Sequence, residues 1–324
     1  MAASADPSAR PTVSVVIVTW LRPEYARACI EHLVALLPPP NEIIVVDAGA
    51  DTQTADVVAD YGDVKRVAFP GGAGHMTTAR NVGLCNATGE VIAFVDDDAN
   101  ARAGWLEGLL EAFADPSVGA VAGRTCNGVP GEESDGVGEI GLLRPTGELT
   151  ANFAADPGRL VDVDHGIGAN MSFRREVLAA LGGFRDDFPG VALREDADMF
   201  LRVRALGWRA VFAPTAVVDH VGAPHVRGRR FDYRYQFWAR CNHALLLARN
   251  FGLGSPQFRA WLAHELRHPY VGEGIALRRA IRVALAWLAL AFGVARCGAK
   301  SHWRASPVER RDAVGEKLRS LLGP

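Results

Sequence analysis

The sequence VIAFVDDD at residues 91–98 is the stretch that says most about the fold of this chain. Five apolar residues of the kind found in a buried strand are followed at once by three carboxylates. Adjacent like charges repel one another, so such a triplet does not stabilise a fold by itself. Carboxylates bind hard divalent cations, and open α/β sheets bind ligands at the carboxyl ends of their strands. The stretch therefore predicts a sheet edge with a cation site, and a solvated acidic turn is the alternative.

Strand and helix patterns alternate on both sides of this stretch. Strands are predicted at Val13–Thr19 and Glu42–Asp47 and at residues 64–69, 91–95 and 118–122. The helices between them are predicted at residues 23–37, 51–61 and 77–87 and at Trp105–Phe113. Strands that alternate with helices of this length indicate an α/β fold with a doubly wound, mostly parallel sheet.

The pattern changes in the second half of the chain. Residues 125–164 are rich in glycine, proline and glutamate without a clear period, which predicts a long excursion near the ligand. Regular elements then return as a strand at 169–173, helices at 174–181 and 195–206, short strands at 211 and 217–218, and helices from 231 onward. We divide the chain into a disordered N-terminus at 1–11, an α/β domain at 12–225 and a helical C-terminal region at 226–324.

Composition excludes several classes of protein. The 324 residues are 49% hydrophobic, and 35 basic side chains nearly balance 37 acidic ones, unlike a general nucleic-acid binder. The five cysteines are scattered and form no Cys-x-x-Cys pair, which argues against a zinc site or a disulfide framework. Residues 1–11 lack the apolar core of a secretion signal. We therefore expect a cytoplasmic protein.

A short apolar segment near the C-terminus raises the question of membrane contact. Residues 283–295 carry no charge and are too few to span a bilayer, and they are flanked by Arg278, Arg279, Arg282 and Arg296. One interpretation is a buried or dimer-forming helix. The other is a helix that lies on an anionic membrane surface, which would place the protein peripherally at the inner membrane face.

Polar residues at the ends of the predicted strands are candidates for ligand binding. Asp47 ends the second strand as Asp96 ends the fourth, so Asp47 is placed to contact a ribose or base, with a turn cap as the alternative. Arg80 lies early in the helix after a glycine-rich loop at 71–74. An arginine there can neutralise a diphosphate, and an ordinary surface arginine is the alternative.

Two further sets of side chains are candidates for catalysis and metal binding. Glu195 and Asp196 open a predicted helix, where acidic residues also interact favourably with the helix dipole. Because a loop precedes them, a carboxylate of this pair can act as general base on an incoming hydroxyl or amine. His220 and His225 follow a strand, and a histidine there can complete a metal site, although most lone histidines are structural.

Taken together, these segments resemble glycosyltransferase family 2, the nucleotide-sugar-dependent enzymes of the GT-A fold. The resemblance covers residues 13–220 and rests on the order and spacing of motifs that are individually weak. The resembling strings are VSVVIVT at 13–19, IIVVD at 43–47, ARNVG at 79–83, TGE at 88–90, DDD at 96–98, GANMSFR at 168–174, GGF at 182–184, Glu195-Asp196 with Arg202, GW at 207–208, and His220.

The resemblance implies roles for individual residues. Thr19 and Asp47 would line the nucleoside pocket, and Arg80 would approach the diphosphate of the sugar donor. In the family's Asp-x-Asp motif, Asp96 and Asp97 would lie near the ribose and metal-bound water. Asp98 would bind Mg²⁺ or Mn²⁺, and His220 would complete the metal or diphosphate shell. Asp196 would be the catalytic base of an inverting transfer, with Glu195 as its partner in acceptor binding.

One departure from the family pattern bears on the donor. Members often carry a second acidic residue or an asparagine after the aspartate of the second strand, whereas this chain has Ala48, which cannot hydrogen-bond a base through its side chain. A UDP-sugar remains the first expectation because the family most often uses one, and GDP- and dTDP-sugars stay open. The acceptor, a hydroxyl or an amine, is not specified by these motifs.

Two other functions fit the sequence less well. A sugar-1-phosphate nucleotidyltransferase would need a glycine-rich loop near the N-terminus, and residues 13–22 contain none. A non-catalytic nucleotide-sugar-binding module would be expected to have lost some of the residues Asp98, Asp196 and His220, all of which are present.

Overall fold

In a computed structural model of the chain, residues 10–72, 74–190, 193–223, 232–268 and 276–298 are described. The predicted N-terminal region up to residue 9, His225 and the tail beyond residue 298 lie outside these ranges.

Nine strands of the described chain form one sheet. The strands are β1 (Val13–Thr19), β2 (Glu42–Asp47), β3 (Val64–Ala68), β4 (Val91–Asp96), β5 (Ala99–Ala101), β6 (Val118–Cys126), β7 (Val161–Asp162), β8 (Asn170–Arg174) and β9 (Arg209–His220). They are ordered β3-β2-β1-β4-β8-β6-β9-β5, and β7 pairs with β9. The half formed by β3, β2, β1 and β4 is parallel, whereas β8 runs antiparallel to both β4 and β6.

Nine helices are described, six of which belong to the α/β region. The helices are α1 (Pro23–Val34), α2 (Thr52–Ala59), α3 (Met76–Asn86), α4 (Trp105–Phe113), α5 (Arg175–Leu181), α6 (Glu195–Ala205), α7 (Tyr233–Phe251), α8 (Pro256–Arg267) and α9 (Ala276–Gly298). Several begin where the sequence supplies a cap. Asp51 accepts a hydrogen bond from the Thr54 N–H at the start of α2, and Ser255 accepts one from the Phe258 N–H at the start of α8.

The sheet is covered on both faces, which confirms the doubly wound prediction. Ile17 of β1 lies in a core cluster with Ile30 of α1 and Leu109 of α4. Val16, the neighbouring residue of the same strand, lies in a second cluster with Leu84 of α3. Successive side chains of a strand point to opposite faces, so one unbroken apolar strand serves both cores.

The C-terminal helices pack against α6. Leu245 and Leu246 of α7 share a third core cluster with Leu201 of α6 and Trp261 of α8. The predicted helical C-terminal extension is therefore confirmed for the described residues, and it adjoins the helix that begins at Glu195.

Helix α9 is apolar on two sides. Its Gly293 lies close to α7, where an added Cβ would be 3.1 Å from Cβ of Ala244. On the remaining surface, Ile281, Trp287, Leu288 and Phe292 are between 43% and 59% exposed. No helix within the described ranges is both long and apolar enough to cross a membrane.

Three sequence expectations differ from the structure. The two short strands predicted at 211 and 217–218 are parts of the single strand β9, whose register with β6 shifts near Gly123. Strand β5, directly after the carboxylate triplet, was not predicted because it is only three residues long. The helical spacing of Met199, Val203 and Leu206 predicts that all three pack in the core, but Leu206 is 48% exposed because α6 ends one residue before it.

Candidate active site

The candidate site lies at the carboxyl ends of three neighbouring parallel strands. Thr19, the last residue of β1, pairs in register with Asp47 of β2, and Val18 pairs with Asp96 of β4. Strand β1 therefore lies between the strands that carry the two aspartates. All three polar residues, Thr19, Asp47 and Asp96, end at one edge of the sheet, as the sequence predicted.

Asp96, Asp98 and His220 form a cluster that can hold a cation. One ligand atom from each residue lies within 4.8 Å of those of the other two. His220 reaches the cluster because it pairs with Ala99 in the β5–β9 ladder. Its Nε2 lies 3.4 Å from Oδ1 of Asp98. Two carboxylates and an imidazole fit Mg²⁺ or Mn²⁺. Asp96, which the resemblance placed near the ribose, lies in this group beside Asp98.

The environment of Asp98 favours its charged form. Burial by itself raises the pKa of this carboxyl, but hydrogen bonding from His220 and from the Ala223 N–H outweighs burial and lowers the pKa to about 2. The Ala223 N–H donates to Oδ2 of Asp98 at 2.7 Å. Asp98 is therefore an anion at neutral pH, as a metal ligand must be.

Asp97 interacts with a different partner from its two neighbours. It is 1% exposed, and Oδ1 forms an ion pair with Nη2 of Arg22 at 2.6 Å. Burial raises the pKa of Asp97 to about 7, against the effect of Arg22. Sequence reasoning missed Arg22. The available signal was its position three residues after the first strand, since three adjacent carboxylates need nearby cations, but the sequence does not specify which cation supplies the charge.

Arg80 connects the triplet with the acidic pair of α6. Its Nη2 lies 3.0 Å from Oδ1 of Asp96, and its Nη1 lies 2.8 Å from Oε1 of Glu195. The side chain is buried, and an added Cβ on Gly168 would lie 2.6 Å from Nη2, so a side chain at residue 168 would displace the guanidinium. The guanidinium of Arg80 thus connects the carboxylates of Asp96 and Glu195. A contact between Arg80 and a diphosphate stays a prediction.

Asp196 and Glu195 have unlike surroundings. Asp196 is half-buried, and its oxygens accept hydrogen bonds from the Gly168 N–H at 3.1 Å and the Ala197 N–H at 2.7 Å. Glu195 is 3% exposed, and burial together with the Asp196 charge raises its pKa to about 7. Oε2 of Glu195 has no hydrogen-bond partner within the described part of the chain. The less buried Asp196 is the more accessible of the two carboxylates.

Asp47 is held by an arginine that the sequence did not reveal. Nε and Nη2 of Arg66 lie 3.1 Å and 2.6 Å from Oδ2 of Asp47, and the Gly49 N–H donates to Oδ1 at 3.1 Å. Arg66 comes from the middle of β3, where no motif marks it. The predicted contact of Asp47 with a nucleoside stays a prediction, and any such contact would share the carboxylate with Arg66.

The loop before the acidic pair is fixed from two sides. Asn81 of α3 exchanges two hydrogen bonds of 2.9 Å with the backbone of Phe184. Arg249 of α7 binds Asp187 through both guanidinium Nη atoms, at 2.9 Å and 2.6 Å. Nδ2 of Asn242, also on α7, donates to the carbonyls of Pro189 and Leu193. The C-terminal region thus positions the loop that leads to Glu195.

Comparison with solved structures identifies the class of fold. A mannosyltransferase from Pyrobaculum calidifontis, solved in complex with GDP-Man and Mn²⁺, matches 98% of this chain and 86% of its own with a TM-score of 0.56 at 20% sequence identity. Residues 1–349 of TarS from S. aureus match 96% of this chain and 90% of their own, with a TM-score of 0.57 at 15% identity. The fold is that of the GT-A glycosyltransferases.

Sequence comparison identifies the family. The model of glycosyl transferase family 2 matches residues 14–182, and the chain belongs to this family. A pre-mycofactocin glycosyltransferase of Mycobacterium tuberculosis is 32% identical over 180 residues, which are 55% of this chain and 37% of that protein. A glucosyl-dolichyl phosphate glucuronosyltransferase of Haloferax volcanii is 27% identical over 239 residues, covering 69% of this chain and 71% of that protein. The chain thus spans little more than a third of the length of the first relative.

Proposed function

We propose that this protein is a metal-dependent, inverting glycosyltransferase that moves a sugar from a nucleoside-diphosphate sugar to an acceptor hydroxyl or amine. The main observation that supports this proposal is the pair of contacts made by Arg80. They link Asp96 of the cation cluster to Glu195, which is next to the candidate base Asp196. Family membership supports the reaction class.

Asp96, Asp98 and His220 are the residues that would hold Mg²⁺ or Mn²⁺ in this proposal. An ion bound there would act as a Lewis acid and stabilise negative charge on the departing diphosphate. The mannosyltransferase and a UDP-bound GalNAc-T7 of the same fold were both solved with Mn²⁺, which supports this choice of ion. Arg22 lies next to the cluster, with Nη1 3.9 Å from Oδ2 of Asp98, and adds positive charge on the same side.

Different side chains of the protein would bind the nucleoside, take the proton and bind the acceptor. Thr19, Asp47 and Asp97 would form the nucleoside side of the pocket. Asp196 would take the proton of the acceptor as that group attacks the anomeric carbon opposite the diphosphate, which inverts the configuration. Two backbone N–H groups orient its carboxylate. Glu195, with one oxygen unpaired among the described residues, would accept a hydrogen bond from the acceptor.

The donor is proposed only by class. A UDP-sugar is our first choice because the family most often uses one, and the solved neighbours include complexes with both GDP-Man and UDP. We further propose a cytoplasmic location with peripheral membrane contact through α9, and a homodimer through the same helix is the alternative use of its exposed face.

The test is release of nucleoside diphosphate from a panel of UDP-, GDP- and dTDP-sugars in Mn²⁺. We expect one donor class to be cleaved, and we expect EDTA or Asp98→Ala to abolish cleavage. Asp60→Ala, which removes an exposed carboxylate paired with Arg27, is the matched control and should leave cleavage unchanged. Full activity in EDTA would show that the proposed metal dependence is wrong. Release of pyrophosphate from a nucleoside triphosphate and a sugar 1-phosphate, assayed in parallel, would indicate a nucleotidyltransferase.

A further inference from the structure

We propose that Arg194 forms an anion-binding subsite for the acceptor, and that the acceptor therefore carries a phosphate or carboxylate group near the attacking hydroxyl or amine. This inference rests on the proposed function, because it concerns the acceptor side of the same site. Neither the family motifs nor the comparisons assign a role to Arg194.

The backbone of Arg194 adopts a conformation that favours glycine. Its φ is 77° and its ψ is 0°, in the left-handed region, at the residue that directly precedes Glu195 and α6. A non-glycine residue in this region is strained by roughly 1–2 kcal/mol. The side chain does not offset this strain by capping the helix, since it makes no cap hydrogen bond. Residue 194 is therefore an arginine at a position whose backbone conformation suits glycine better.

The guanidinium of Arg194 has no partner within the described part of the chain. Its Nε is shielded from solvent and makes no hydrogen bond. Neighbouring arginines behave differently. Arg185 forms an ion pair with Asp198 at 2.6 Å, and both Nη atoms of Arg202 donate to backbone carbonyls. A shielded donor without a partner calls for a water, an ion or a ligand.

No carboxylate in the described part of the chain forms an ion pair with Arg194. Of the two that follow it in the sequence, Glu195 pairs with Arg80, and Asp196 accepts hydrogen bonds from two backbone N–H groups. His165 and His243 are buried close by. Burial lowers the pKa of both histidines, and the positive charge of Arg194 lowers both further. Both rings are therefore neutral at neutral pH, and the uncompensated positive charge of Arg194 attracts an anion.

The position of Arg194 assigns that anion to the acceptor. Arg80 lies between Asp96 and Glu195, and Arg194 directly precedes Glu195 at the start of α6. The charges of Arg194 and of the candidate base Asp196 both act on the pKa of the buried His165, so Arg194 lies near the base. Glu195 is more than nine-tenths buried with Oε2 unpaired among the described residues, next to Arg194 in sequence. An acceptor could donate a hydrogen bond to Glu195 and place its anion on Arg194, since guanidinium groups bind phosphate and carboxylate with two parallel hydrogen bonds.

Three sugars that differ in charge test the subsite directly. Glucose 6-phosphate, glucuronate and glucose are titrated calorimetrically into the full chain with Mn²⁺ and the nucleoside diphosphate that binds best, so that the donor pocket is filled. We expect both charged sugars to bind and glucose to bind at least about tenfold more weakly. Binding of only one charged sugar identifies phosphate or carboxylate as the group that is read. Equal binding of glucose, or no binding of any sugar, overturns the proposal.

Variants separate binding from folding. Arg194→Gly removes the guanidinium and suits the left-handed backbone, so this variant should melt at or above the wild-type temperature yet lose charged-sugar binding by about tenfold or more. Arg194→Lys should retain part of the affinity. Arg204→Gln, which removes a paired arginine from the other end of α6, should bind like the wild type. Wild-type affinity in Arg194→Gly overturns the proposal.

The donor panel distinguishes this proposal from the proposed function. If no nucleotide sugar is cleaved but charged sugars bind through Arg194, the proposed function fails and the subsite stands. If cleavage occurs and charged sugars do not bind, the subsite fails alone. If Arg194→Gly changes the preference for UDP-glucuronate over UDP-glucose and leaves binding of free sugars intact, the anion belongs to the donor, and the acceptor assignment is wrong.

Discussion

Asp196 combines the two properties that a general base needs, an accessible carboxylate and a fixed orientation. Two backbone N–H groups hold it, while cation binding and the nucleoside side depend on other residues. We predict that Asp196→Asn retains nucleotide affinity and loses about 10²–10⁴-fold in turnover, the usual effect of removing a positioned base. Calorimetry with nucleotide and Mn²⁺ and steady-state kinetics on the same preparation measure the two effects.

Glu195 provides the comparison for that experiment. Glu195→Gln should weaken acceptor binding more than donor binding, because its free oxygen faces no protein partner in the described chain. If Asp196→Asn instead loses donor affinity and keeps its turnover at saturating donor, Asp196 binds the donor and is not the base. Glu195 would then be the next candidate for the base.

His243 links stability to acid pH. Burial, together with the Arg194 charge, lowers its pKa to about 3 from an ordinary value of 6.5, and its Nε2 lies 2.7 Å from the Gly147 carbonyl. The unfolded chain binds a proton as the pH falls below about 6.5 while the folded chain does not, so the free energy of unfolding decreases from there toward pH 3. Relative to His243→Gln, the wild type should lose roughly 2 kcal/mol between about pH 7 and pH 5.

Urea unfolding of both proteins across that range measures the difference. Parallel curves for the wild type and His243→Gln would mean that His243 titrates alike in the folded and unfolded chains, which would contradict this prediction. The glutamine can still donate to Gly147, so the variant removes the titration and keeps a donor.

The residues of the candidate site differ in how far the sequence alone reveals them. Strand ends and motif order led to Asp98 and His220 as metal-ligand candidates, and the structure adds Asp96, which had been placed near the ribose, to the same cluster. Arg22 and Arg66 were missed because each pairs with a carboxylate from another segment of the chain, Asp97 in the turn after β4 and Asp47 at the end of β2. A single sequence does not show which cation faces which carboxylate.

Among the elements, α3 is packed unusually close to the sheet. An added Cβ on Gly83 would lie 2.3 Å from Cγ1 of Val16 and 3.1 Å from Cγ2 of Val46, both buried. We predict that Gly83→Ala destabilises the fold by about 1–3 kcal/mol, because a well-packed core does not accept an extra methyl group. Since α3 carries Arg80 and Asn81, cleavage of the sugar nucleotide should fall as well.

Gly62 is the control for this substitution. An added Cβ there has no atom within 4 Å, so Gly62→Ala should change the free energy of unfolding only slightly. Equal stability of both variants would show that α3 can shift away from the sheet without loss.

Element boundaries were more predictable where the chain alternates than where it pairs at a distance. Glu42–Asp47 and Trp105–Phe113 have the bounds that their apolar pattern predicted. Strand β9 was divided into two because Pro214 and Thr215 interrupt its apolar pattern, and pairing with β6 and β5 makes it continuous. The antiparallel direction of β8 depends on its neighbours in the sheet, which local periodicity does not encode.

For the whole molecule, the exposed side of α9 predicts attachment to a surface. Trp287 and Leu288 are 52% and 59% exposed on a helix whose charged residues are all arginines. We predict that the protein sediments with vesicles rich in anionic lipid and less so at high salt, since both apolar burial and charge contribute to binding. The double variant Trp287→Glu, Leu288→Glu should lose most of this binding.

Leu37→Glu is the matched control, because Leu37 is 87% exposed and lies far from α9 in the sequence. If the wild type does not bind vesicles but elutes as a dimer, and the double variant elutes as a monomer, the exposed face of α9 contacts a second copy of the chain. A monomer without lipid binding would remove both interpretations of α9.

The bonds between α7 and the loop before Glu195 also limit how such proteins can be recombined. The family match ends at residue 182, whereas Arg249 and Asn242 hold Asp187, Pro189 and Leu193 beyond that point. A chimera that joined residues 1–225 to the helices of a relative would separate these partners and leave Asp187 charged with no matching arginine. A functional chimera should therefore take the loop and α7 from the same parent protein, even though the sequence places them in different regions.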